Sequence, residues 1–160
     1  MNNKMNNNAA QTALGSTPHQ KDLRRGRVSQ SNQIYHITTA TLNRTPIFKV
    51  FQHARDLTMQ IKASDDMGYT NTLAFVIMPD HIHWLFQLNQ IKSLSKTVQS
   101  LKSLSSRAIG QSIWQAGYYD HATRKEEDIQ TIARYIIANP VRAGLVKRVG
   151  DYPHWDAIWL

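Results

Sequence analysis

The stretch Phe75-Val76-Ile77-Met78-Pro79-Asp80-His81-Ile82-His83-Trp84-Leu85-Phe86 reads as two strands joined by a tight turn at Pro79-Asp80. Alternate side chains of an extended segment share a face. His81 and His83 therefore point the same way, while Ile82 points into the core. Two imidazoles projecting side by side from a rigid sheet make a ready pair of metal ligands. Taken alone, such a pair reads first as decoration of a solvated sheet face, so the rest of the chain has to decide between the two readings.

Upstream, Ile34-Tyr35-His36-Ile37-Thr38-Thr39-Ala40-Thr41-Leu42 is rich in β-branched and aromatic residues and reads as a first strand, broken by Asn43-Arg44-Thr45-Pro46. From about Lys49 to Met67, Phe51, Ala54, Leu57 and Ile61 recur at helical spacing, and Gly68 ends that helix. The two hairpin strands run from about Thr72 to Met78 and from His81 to Leu88. A second helix is expected from about Ser93 to Ile109, with Leu94, Val98, Leu101, Leu104 and Ala108 inward. Its wet side carries Lys96, Lys102 and Arg107 and no acid, which suits a phosphate-facing surface as well as an ordinary solvated one.

Farther on, Ile113-Trp114-Gln115-Ala116-Gly117-Tyr118-Tyr119-Asp120-His121 is aromatic and extended, a strand followed by an irregular turn. Glu126-Glu127-Asp128 places acids at the positive end of a last helix that runs to about Ala138, where Pro140 stops it and Gly144 marks a turn. The aromatics of Asp151-Tyr152-Pro153-His154-Trp155 need burial, so this tail should fold back on the domain. The order β-α-β-β-α-β-α with antiparallel hairpins predicts an α+β fold with helices packed on a sheet.

Composition narrows the partners. The 160 residues suit one domain, and with no cysteine neither a disulfide nor a thiolate metal site is possible. No apolar run reaches membrane-spanning length and the N-terminus is too polar for a secretory signal, so no membrane partner and a cytoplasmic location are expected. A formal charge of +8 and a pI near 9.9 favour a polyanion, nucleic acid before membrane. Residues 1–31 are rich in Asn, Gln, Ser and Thr and read as a disordered extension ending in the basic arm Arg24-Arg25-Gly26-Arg27. Residues 32–160 read as the folded domain.

On a helical wheel Ile129, Ile132, Ala133, Ile136 and Ile137 form one apolar stripe. Tyr135 and Asn139, four apart, stack on one flank of it, with Asp128 on the same flank nearly two turns earlier. A phenol and an amide at the rim of a sheet carrying two histidines make a coherent site. His81, His83 and Asn139 would hold a divalent cation that polarises a phosphodiester, and Tyr135 would attack it. From the wheel alone, Tyr135 reads first as a boundary tyrosine capping the core, and Asn139 before Pro140 first as a helix C-cap.

The segment Met78-Pro79-Asp80-His81-Ile82-His83 closely resembles the HUH motif (His, hydrophobic, His) of the single-tyrosine transposases of the insertion-sequence type. Tyr135-Ile136-Ile137-Ala138-Asn139-Pro140-Val141-Arg142-Ala143-Gly144-Leu145-Val146 resembles the tyrosine-helix signature of one branch, the REP-associated tyrosine transposases. Gly26-Arg27-Val28-Ser29, the first strand, Trp114-Gln115, Tyr118-Tyr119-Asp120-His121 and Asp151-Tyr152-Pro153 resemble that branch too. The likeness runs from about Arg24 to Trp155.

The resemblance implies a ferredoxin-like antiparallel sheet with the tyrosine helix lying across it. It implies cleavage and rejoining of single-stranded DNA beside a palindromic hairpin, with Mg²⁺ or Mn²⁺, by a monomer or homodimer. By position His81 and His83 match the metal histidines, Tyr135 the nucleophile and Asn139 the third polar ligand. Arg24, Arg25 and Arg27 are candidate contacts to the single strand, and Lys96, Lys102 and Arg107 to the hairpin. His121 reads as a packed structural histidine. Three alternatives stay open. One is a mobile insertion-sequence transposase acting on its own ends, and another is a catalytically silent hairpin-binding protein. The third, a small zinc hydrolase, has only Asp80 as a nearby base.

Overall fold

A computed structural model of the chain describes residues 29–123 and 126–159. The basic arm of Arg24, Arg25 and Arg27, and nearly all of the N-terminal extension, lie outside the described residues. Along the chain run β1 (Ile34–Ala40), α1 (Phe51–Asp66), β2 (Thr70–Met78), β3 (His81–Leu88), α2 (Leu94–Ile109), β4 (Tyr119–Thr123), α3 (Glu126–Ile137), α4 (Asn139–Arg142) and β5 (Trp155–Ala157). The five strands form one sheet in the order β4-β1-β3-β2-β5, with every neighbouring pair antiparallel. The first four strands with α1 and α2 give the ferredoxin-like β-α-β-β-α-β arrangement.

The pleat sorts side chains onto two faces. One face carries Tyr35, Ile37, Phe75, Ile77, Ile82, Trp84 and Phe86, and α1 and α2 close over it through Ala54, Leu57, Ile61, Leu94, Val98 and Leu101. On the other, Ala74, Val76, Met78, Leu85 and Ala157 pack under Ile129, Ala133, Ile136 and Ile137 of α3. The apolar stripe read on the last helix is therefore the stripe that it buries, with Ile132 partly covered.

Several expectations need correction. The strand expected from Ile113 begins only at Tyr119. Ile113 and Trp114 are buried, but Trp114 makes a single bridge to Thr41, and Gly117 at φ 76° turns the chain before β4. On α2 the buried set is Leu94, Thr97, Val98, Leu101 and Ser105, whereas Leu104 and Ala108 are exposed. Ser105 is drawn inward because its hydroxyl accepts the Trp114 indole N–H at 2.9 Å and donates to the Leu101 carbonyl at 2.7 Å. On α1, Phe51 is exposed in the first turn, with its ring centroid 5.4 Å from that of His154. Pro140 does not stop the last helix for long. After a turn at Ala138, α4 begins with Pro140 in its first turn, where the missing N–H has no intrahelical partner to lose.

The tail does fold back. Tyr152 donates its hydroxyl to the Ile77 carbonyl at 2.7 Å, the Ile77 N–H donates to the His154 carbonyl at 2.8 Å, and β5 then pairs with β2. Burial pushes the Tyr152 hydroxyl up to about 12, so it remains a donor at any working pH. Among the described residues no helix is long and apolar enough to cross a membrane.

Candidate functional site

Pro79-Asp80 closes the β2–β3 hairpin, and β3 opens with His81. Ile82 is fully buried on the α1/α2 face, so His81 and His83 share the face on which α3 lies, their ring centroids 5.0 Å apart. Antiparallel register then selects their neighbours. Thr38 of β1 stands opposite His83, and His121 of β4 stands opposite His36.

Each histidine is held by its Nδ1. His81 Nδ1 lies 2.6 Å from Asp80 Oδ1, and the other oxygen of that carboxylate meets Arg44 Nη1 at 3.5 Å. Asn43 and Arg44 both take left-handed backbone angles (φ 53° and 55°). Such a pair is uncommon outside glycine, and here it belongs to the tight turn that carries Arg44 beside Asp80. His83 Nδ1 lies 3.0 Å from Thr38 Oγ1 and 3.2 Å from His36 Nε2. With its proton on Nδ1, each ring leaves Nε2 with an available lone pair, the usual preparation of a metal-binding imidazole.

The surroundings also keep His83 and its neighbour His36 uncharged. Burial, then the neighbouring His81 and His36 rings and the Arg142 and Arg44 guanidiniums, push His83 down to about 3. Burial and His121 push His36 down to about 4. Both rings are neutral at neutral pH. On acidification the unfolded chain, with imidazoles near about 6.5, takes up protons before the folded one. The stability contributed by this pair is complete above that pH and is lost as pH falls through about 4 and then about 3. In metal-free protein the urea midpoint should therefore fall between pH 7 and pH 4.5, and fall less in a His36→Gln/His83→Gln double variant. Parallel slopes in the two proteins would refute the assignment.

Tyr135 sits near the end of α3, its side chain 58% exposed. Asn139 begins α4, its Nδ2 donating to the Ile136 carbonyl at 2.9 Å and its Oδ1 accepting from Arg142 Nη2 at 2.8 Å. An amide oxygen has two lone pairs, so one is left for a metal. Among the described residues no three of His, Cys, Asp and Glu group to hold a metal by themselves. A third protein ligand here would have to be another donor type, such as an amide, and Asn139 carries one just beyond the helix of Tyr135. Two imidazoles and an amide oxygen are donors of the kind that a divalent cation accepts.

The candidate DNA contacts are less united. Lys96 and Arg107 are exposed, but α2 packs on the sheet face opposite the histidines. Lys102 donates its ammonium to the Gln115 and Gly117 carbonyls, each at 2.7 Å, and so braces the loop before β4. His121 is exposed rather than packed, on the histidine face of the edge strand. Sequence reasoning passed over His36, Thr38, Arg44 and Arg142. The alternation of Tyr35-His36-Ile37-Thr38 does place His36 and Thr38 on one face, but only the register brings that face beside His83.

Known proteins resemble this chain along most of its described length. A family model described as "Transposase IS200 like" matches residues 29–139. The REP-associated tyrosine transposase of Escherichia coli (strain K12) is 34% identical over 82 residues, 50% of this chain and 50% of that protein. The chain spans about half the length of the curated relatives that it matches. A solved structure of a REP-associated tyrosine transposase bound to a REP hairpin superposes with a TM-score of 0.68 at 28% identity, covering 81% of this chain and 79% of that one.

Proposed function

Because the chain belongs to the IS200-like transposase family, we propose that it is a metal-dependent endonuclease and strand transferase for single-stranded DNA at palindromic, REP-like hairpins. The observation that carries this reading is the pair His81 and His83, both anchored through Nδ1, on the sheet face spanned by the helix that bears Tyr135. The solved relative bound to a REP hairpin supports the choice of DNA.

His81, His83 and Asn139 would hold Mg²⁺ or Mn²⁺, which would supply positive charge against the phosphate in the transition state and ease loss of the Tyr135 phenol proton to solvent. Asp80, Thr38 and His36 keep the two imidazoles in the tautomer that presents Nε2. Tyr135 Oη attacks phosphorus and forms an O–P bond. The bond from phosphorus to the 3′ oxygen breaks, and that oxygen leaves as a hydroxyl after taking up a proton. The 5′-phosphotyrosine conserves the ester bond, so a second 3′-OH can reverse the step and join a new strand without a nucleotide cofactor.

Contacts to the single strand fall to Arg24, Arg25 and Arg27, ahead of β1. Lys96 and Arg107 offer exposed cations to a hairpin stem that reaches past the sheet to its other layer. Lys102 keeps its bracing role. We place the protein in the cytoplasm, as a monomer or homodimer.

The test is a denaturing gel with labelled hairpin DNA carrying single-stranded flanks. Wild type should give a covalent protein–DNA band with Mn²⁺ and none with EDTA. His83→Ala should lower the rate by about 10²–10³-fold, the scale of losing one oriented electrostatic partner. Equal bands with and without EDTA would sink the metal assignment. Tight hairpin binding without any band would favour a silent binding protein.

A further inference from the structure

The segment that follows Tyr135 does more than end a helix. After the turn at Ala138, α4 makes a single turn, and Gly144 closes it at φ 70° with its N–H on the Val141 carbonyl at 3.0 Å. The Leu145 N–H donates to the Pro140 carbonyl at 2.9 Å and fastens the same turn. This fold-back returns Arg142 to a residue seven positions earlier. Its guanidinium carbon lies 3.5 Å from the centroid of the Tyr135 ring. Nη1 donates to the Tyr135 carbonyl at 2.9 Å, and Nη2 donates to Asn139 Oδ1 at 2.8 Å. One side chain thus meets both the ring and the amide.

We propose that Arg142 is a positioning residue for the nucleophile: its stacked guanidinium fixes the plane of the Tyr135 ring, and its fork ties that ring to Asn139. The inference rests on the function proposed above. An exposed tyrosine on a helix flank otherwise exchanges rotamers freely, and an in-line attack needs its hydroxyl oxygen within about 3–3.5 Å of phosphorus. Two hydrogen bonds, one to the Tyr135 carbonyl and one to Asn139 Oδ1, leave the guanidinium one orientation, and stacking passes that orientation to the phenol. Lysine cannot substitute, because a point ammonium has neither the plane nor the fork. The run Asn139-Pro140-Val141-Arg142-Ala143-Gly144 acquires a mechanical purpose: it builds the turn that brings the guanidinium back.

The experiment compares wild type, Arg142→Lys, Arg142→Gln and, as control, Arg134→Gln, an exposed cation in the last turn of α3. Single-turnover adduct formation with hairpin DNA and Mn²⁺ is measured beside the Kd for the same DNA and the melting temperature. Both Arg142 variants should slow the covalent step by about 10–100-fold, the scale of a small misplacement of a reacting group, with Kd and melting temperature unchanged. Arg134→Gln should match wild type. In protein labelled with ¹³C-tyrosine, the Tyr135 ring resonance, assigned through Tyr135→Phe, should move in Arg142→Lys. A lysine variant as fast as wild type would overturn the proposal, as would parallel losses in rate and Kd, which mark a phosphate contact. Either result, with a wild-type adduct in hand, leaves the functional reading standing. No wild-type adduct, with the ring resonance still responding, would sink the functional reading and the proposal together.

Discussion

Tyr135→Phe is expected to form no covalent adduct, a loss of about 10⁴-fold or more, the scale seen when a covalent nucleophile is deleted. The substitution removes one oxygen and keeps the ring, so the stack with Arg142 survives, as does the exposed position on α3. Changes at exposed positions without a special role stay within about 0.5 kcal/mol, so melting temperature and hairpin affinity should match wild type. That split separates chemistry from folding and binding. Persistence of the band in Tyr135→Phe would transfer the role to another tyrosine. Tyr119 is then first, because β4 places it opposite Thr38 on the histidine face, whereas Tyr118 lies 3.3 Å from Ser95 of α2 through its hydroxyl.

Trp84→Ala should be the most destabilising single change near the site, by about 3–5 kcal/mol, the usual range for an aromatic removed from a core. Trp84 is fully buried, its ring centroid lies 4.1 Å from that of Phe86, and its indole N–H donates to Thr72 Oγ1 at 3.0 Å. Truncation opens a cavity on the α1/α2 face and takes away the Thr72 partner. A drop in melting temperature of roughly 10–20 °C would follow for a domain of this size. Because His83 precedes Trp84 on β3, loosening the strand also loosens the imidazole, so Mn²⁺ affinity should weaken in the fraction still folded. Urea unfolding and metal titration check the two effects separately. A loss of less than about 1 kcal/mol would mean that this core can repack around the gap.

What could be read without a structure was local. The strand period of two put His81 and His83 on one face and Ile82 in the core. The helical period put Ile129, Ala133, Ile136 and Ile137 against the sheet, with Tyr135 on their flank. The aromatic tail announced its own return to the domain, where Tyr152 and Trp155 are half-buried. Each of these follows from neighbours within a few residues, where backbone geometry alone decides which side chains meet.

Tertiary structure decided the rest. Helical spacing offered Leu104 and Ala108 to the core, yet Ser105 is buried because Trp114, in the loop that follows α2, needs an acceptor for its indole N–H. Ile113 and Trp114 have strand-like residues, but strand pairing waits until Tyr119, past the turn at Gly117. No spacing in the chain tells that Thr38 and His36 will hold His83, since a sheet register joins residues more than 40 positions apart. Pro140 looked like a stop, and only the packed fold-back reveals it as the start of the turn that lays Arg142 on Tyr135. Periodicity is a property of one segment, so the faces could be assigned from the residues alone. Register and chain return depend on how separate segments pack, so only the folded protein decided which faces meet.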